Sequence, residues 1–201
     1  MKRTAIVMLS VALIAAAAGC LHLPPRINLE RMGTVGLIQL RSEAKGNIAE
    51  YATQVLLEVL LKSQPGARIK ELGREDEVLR DIEASRLSPD ALEALRRRFG
   101  VDTLIVGTLE LSDIRPRVDL AAIISTLSVS AEVDAVLTAR LLDTQDGTTL
   151  WTDSARERRT VANVSVARGG GIFFDARDPE QAYGSLIRAL VVRTTRDFQW
   201  R

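Results

Sequence analysis

The chain has 201 residues, 46% apolar and 26% charged, which suits one globular domain and excludes a disordered chain. Its 27 basic and 26 acidic groups nearly cancel, so it carries no electrostatic footprint for nucleic acid. One Cys and one His exclude an intrachain disulfide framework and a Cys/His zinc site.

The first element in chain order is an export signal over residues 1–19. Lys2 and Arg3 form a basic start, and Ala5 to Ala18 is an apolar run broken only by Ser10. Fourteen residues are too few to span a bilayer, which takes roughly 20, but they suit the core of a signal peptide. The run ends in Ala17-Ala18-Gly19-Cys20, which resembles a lipobox with Ala in place of the commoner Leu at its first position. Cys20 is therefore the expected site of lipid attachment, and triacylation holds more firmly than a single acyl chain. An uncleaved anchor helix is the alternative, and the shortness of the run speaks against it. Leu21, rather than Asp, follows the Cys, which by the enterobacterial sorting rule points to the outer membrane with the domain facing the periplasm. Residues 20–33 are expected to be the lipidated Cys and a spacer stiffened by Pro24 and Pro25. Residues 34–201 are expected to be a single domain.

Thr34 to Leu40 reads as a buried strand. Ile48, Tyr51, Ala52, Val55, Leu56, Val59 and Leu60 then recur at helical spacing, and Pro65-Gly66 stops that helix. Ala67 to Leu72 is a short strand. Glu75 to Ser85 is a charged helix with Val78, Leu79 and Ile82 inward. Ser88 and Pro89 cap the next helix, whose inner stripe is Leu92, Leu95 and Phe99 and whose stop is Gly100. Val101 to Leu111 is dense enough in apolar residues for a central strand.

Val129 to Leu141 alternates with one wet face, and Asp146-Gly147 closes a hairpin onto Thr148 to Ala155. Asp178-Pro179 opens a last helix with Tyr183, Leu186, Ile187, Leu190, Val191 and Thr194 inward, and Phe198 and Trp200 are expected to cap the core. The order β-α-β-α-α-β-β-β-α is that of an α/β fold, a mixed β-sheet packed with helices in two or three layers. Asp113–Ser128 and Arg156–Arg177 stand out as insertions, the first with the apolar run Leu120–Ile124, the second with Gly169–Gly171 before Phe173 and Phe174.

Two stretches resemble a known group. Phe99-Gly100-Val101-Asp102 with Leu104-Ile105-Val106-Gly107-Thr108, and Ala139-Arg140-Leu141-Leu142-Asp143-Thr144 to Gly147 to Leu150-Trp151, are similar to the strand and hairpin motifs of the curli-secretion (CsgG-like) and penicillin-binding-protein-activator (LpoB-like) lipoproteins. The resemblance runs over roughly Val35 to Phe198. It implies an anticodon-binding-domain-like sandwich on an exported lipoprotein that binds other envelope proteins. It carries over no catalytic residue. The curli-secretion subunit extends two hairpins into a membrane barrel at positions like the two insertions. A barrel hairpin needs about twenty alternating residues, which neither insertion supplies cleanly.

The inventory argues against an enzyme. Neither GxxxxGK[ST] nor GxSxG occurs, and the single His lies beside the anchor. Asp102, Glu110, Asp113 and Asp119 offer carboxylates for acid–base work, or are strand-end residues. Gly169–Gly171 is a phosphate cradle or, on its turn chemistry, a loop tip. Arg156, Arg158 and Arg159 are expected to touch lipid headgroups or an acidic partner, against the plainer reading of a solvated strand end. Phe173 and Phe174 are either a partner anchor or a fold-back over the sheet edge. No cofactor and no metal are expected. The expected partners are the membrane, through the lipid, and envelope proteins, with homo-oligomerisation open.

Overall fold

Alternating and helical apolar patterns sort into eight strands and four α-helices in the computed structural model, which describes residues 26–44, 46–112, 115–118, 129–161, 164–166, 172–174 and 179–199. The expected signal, Cys20, Asp113, Asp119, Leu120–Ile124, Gly169–Gly171 and Trp200 lie outside the described residues. In chain order the elements are β1 (Thr34–Ile38), α1 (Ile48–Ser63), β2 (Arg68–Gly73), α2 (Glu75–Asp81), α3 (Pro89–Phe99) and β3 (Thr103–Leu111). They continue as β4 (Arg115–Val118), β5 (Val129–Asp143), β6 (Thr149–Val161), β7 (Val164–Val166), β8 (Ile172–Phe174) and α4 (Pro179–Thr194).

The sheet is mixed. β1 pairs in parallel with both β2 and β3, because helical crossovers separate them in sequence. β5 pairs antiparallel with β3 on one edge and with β6 on the other. β4 continues the β3 edge, with Leu111 opposite Ala135 and Arg115 opposite Glu132, so one extra residue lies on the β3–β4 side. β7 and β8 form a separate antiparallel pair.

Adjacent residues of the central strands feed opposite cores, which explains their unbroken apolar runs. Leu37, Ile105 and Leu141 pack with Leu56 of α1 and Leu190 of α4. Ile38, Leu104 and Leu142 pack with Val78 of α2 and Leu95 of α3. The body is thus three layers over β1 and β3, and two over most of β5 and β6, where Thr138, Arg140 and Ser154 face water on the outer side.

Several boundaries differ from the sequence reading, and β7 and β8 lie within the expected insertion Arg156–Arg177. Arg115–Val118 and Arg156–Val161, expected within insertions, are strand. The charges of Arg156 to Arg159 hide the period because that part of β6 has polar residues on both faces. The charged helix α2 stops at Asp81 instead of reaching Ser85. Glu83, at φ 57°, ends it in a Schellman turn, with Ala84 N–H donating to the Leu79 carbonyl and Glu83 N–H to that of Arg80.

Packing also reaches upstream of Thr34. A 3₁₀ turn at Leu29–Met32 places Leu29, 0% exposed, in the first core. Gln64, 2% exposed just beyond α1, holds this segment in place. Its amide NH₂ donates to the carbonyls of Ile27 (2.6 Å) and Phe198 (2.9 Å), and its side-chain oxygen accepts from Leu29 N–H (2.6 Å). Phe198 itself is buried edge-on against Trp151, ring centroids 4.6 Å apart.

Candidate interaction surfaces

The arginines singled out on β6 do not share a face. Register places Arg156 opposite Val136 and Arg158 opposite Asp134 on the wet side, and Arg159 opposite Val133 on the helix side. All three are exposed. Arg158 is committed within the sheet, since its Nε and Nη2 donate to the two Asp134 oxygens at 2.7 and 3.1 Å. That carboxylate also raises the Arg158 pKa. Between them Glu157 pairs with Arg193 of α4 at 2.6 Å, and Arg193 also donates to the Arg156 carbonyl at 3.3 Å. Among the described residues, only Arg158 of the three is paired through its side chain, and Arg159 lies on the opposite face from the other two, so they do not form one basic patch.

Phe173 and Phe174 lie on β8, opposite Ser165 and Val164 of β7. Among the carboxylates considered for acid–base work, Asp102 precedes β3 and Glu110 lies near its far end. Eight residues of strand separate them by about 26 Å, too far to share a substrate proton. Among the described residues no group of three or more His, Cys, Asp or Glu could hold a metal ion.

An open depression of about 490 Å³ lies where β1 and β3 begin, lined by Arg31, Gly33, Asp102, Thr103, Asp143 and Leu150 among others. Its carboxylates close the backbone. Asp102 accepts from Thr34 N–H (2.8 Å) and lies 3.9 Å from Arg96, while Asp143 accepts from Gln145 N–H (2.6 Å). Gly33 is at φ 71°, and a Cβ there would sit 2.2 Å from an Asp102 oxygen, so the turn admits only glycine. Arg31 has no ion pair among the described residues, and the buried Thr103 hydroxyl has no hydrogen-bond partner there. The depression offers a guanidinium and an exposed leucine. It assembles no nucleophile with a base, so its chemistry is that of contact.

Sequence reasoning passed over this end of the molecule. Arg31, Lys62 and Arg68 come from three unrelated segments, and only the register of Thr34 with Arg68 and the Gln64 clasp bring those segments together. No periodic signal marks them.

No protein-family model and no curated protein matches the chain. Among solved structures, the PelC dodecamer from Paraburkholderia phytofirmans superposes with a TM-score of 0.51 at 16% identity, covering 87% of this chain and 94% of that one. The LpoB C-terminal domain from Salmonella enterica is a looser likeness, TM-score 0.42 at 12% identity, over 74% of this chain and 93% of that one. Lipoprotein GNA1162 from Neisseria meningitidis has TM-score 0.38 at 17% identity, over 64% and 83%. At these identities the likeness is one of fold: the chain shares with PelC an α/β architecture built on a mixed sheet.

Proposed function

We propose that this chain is a lipoprotein of the bacterial outer membrane, acylated at Cys20, whose α/β domain faces the periplasm and binds other envelope proteins without catalysing a reaction. It serves assembly, secretion or peptidoglycan synthesis as an accessory. The observation that carries this reading is the lipobox ending at Cys20, five residues before a body whose described residues bring no catalytic group together. Among the described residues no helix is long and apolar enough to cross a membrane. Labelled palmitate should enter the wild-type protein and not Cys20→Ser, and the lipidated protein should retain one defined envelope protein when captured from intact envelopes. Unlabelled wild type, or capture with no specific partner, overturns the reading.

A second reading, an oligomeric secretion-channel subunit, draws on one feature. β4 and the start of β5 pair beyond the end of β3, and β7–β8 forms a second hairpin, at the two positions where a curli-secretion subunit would extend its barrel. Conductance across a planar bilayer by a ring-sized particle is its signature. A monomer in detergent without conductance removes it.

A further inference from the structure

We infer that the end of the domain where β1 and β3 begin lies against the headgroups of the bilayer that carries the lipid, and that this bilayer contains anionic phospholipid. The inference rests on acylation of Cys20. The described chain starts at Arg26, whose neighbour Ile27 is held by the Asp197 carbonyl (3.0 Å) and by Gln64. Leu21 to Pro25 are all that separates Cys20 from that point, a reach of at most about 20 Å. With Leu29 docked in the core, the tether cannot lengthen without unpacking the domain. The opposite end is far off, because β3 alone, nine residues, spans about 30 Å.

The surface at the tethered end fits that partner. Arg31, Lys62 and Arg68 are exposed there and have no ion pair among the described residues. The acidic neighbours each accept a backbone N–H, Glu30 from Gly66 (3.2 Å), Asp146 from Thr148 (2.8 Å), and Asp102 and Asp143 as described, but Glu30 and Asp146 remain exposed anions beside the three cations. Leu61, 38% exposed in the last turn of α1, and Leu150, 39% exposed at the start of β6, are two of the three large apolar side chains that the described residues leave open. Unpaired cations around exposed leucines suit an interface of phosphate above acyl chain. The β6 arginines lie far along the sheet, opposite Val136, Asp134 and Val133 of β5, so they do not supply this contact.

The test uses the lipidated chain floated on phosphatidylcholine vesicles with and without phosphatidylglycerol. Amide hydrogen exchange at Arg31–Gly33 and Gln145–Leu150 should slow several-fold on the anionic vesicles. Raised salt should reverse it, because screening shortens the reach of the headgroup charge. Arg31→Glu, Lys62→Glu and Arg68→Glu together should abolish the slowing while flotation persists. Equal exchange on both vesicles, or slowing centred on Thr152–Arg158, overturns the inference. Failure of the wild type to float on either vesicle overturns the lipid anchor beneath it.

Discussion

At the scale of single residues, Gln64 ties three segments that are distant in sequence. Replacing it by Leu keeps the volume but strands one buried N–H and two carbonyls. Each unsatisfied buried group costs about 1–3 kcal/mol, so Gln64→Leu should lower unfolding free energy by about 3 kcal/mol at least. Urea denaturation measures it, and an unchanged midpoint would show that water satisfies those groups instead. Tyr183, 5% exposed on α4, has its pKa raised above 10 by burial. The folded state then holds the phenol proton more tightly than the unfolded state. That stabilisation is complete below about pH 10 and is lost as pH rises through the higher folded value. The wild type should therefore lose stability more steeply above pH 10 than Tyr183→Phe, as denaturation at stepped pH would read.

Among elements, the ends of α3 obey sequence rules and the C-terminus of α2 does not. Ser88 accepts from Ala91 N–H at 3.3 Å, Pro89 begins α3, and Gly100 ends it at φ 68°. Those residue types announce their roles, and the expected boundaries of α3 coincide with the observed ones. α2 ends on Glu83 in a left-handed conformation that a side chain resists by roughly 1 kcal/mol. Glu83→Gly should raise stability by about 0.5–1 kcal/mol, seen as a higher melting temperature with α2 unchanged in length; a fall would mean that the Glu side chain does more than fill a turn. Strand β6 shows the opposite limit. Ala155, Glu157 and Arg159 keep the two-residue period, yet charge on both faces masks it until Arg193 and Asp134 are seen as partners.

For the whole molecule, two cores share the same central strands. Leu104 and Ile105 are neighbours in sequence and lie in different cores. Damage to the second core should therefore propagate through β3. Leu95→Ala, at a fully buried site, should cost about 2–5 kcal/mol and shift one cooperative transition. Tryptophan fluorescence in a Trp200→Phe background, which leaves Trp151 in the first core as the reporter, should move together with helical circular dichroism. Separate transitions would show that the layers unfold independently. The same sharing makes the N-terminal clasp consequential, because Leu29 sits in the first core.

What the amino-acid order decided by itself is local. Five of the eight strands, the four helices, the caps of α3, the Asp-Gly turn, the wet face of β5 and the mixed α/β class follow from periods of 2 and 3.6 and from residues with few permitted conformations. Tertiary structure decided what depends on distant partners: the length of β6, the separation of Arg158 from Arg159, the clasp at Gln64 and the gathering of Arg31, Lys62 and Arg68 at one end. Periodicity reports which face of an element is buried, but not which other element covers it or where charges from separate segments meet. Those meetings are set by strand register and crossover packing, which no short window of sequence contains.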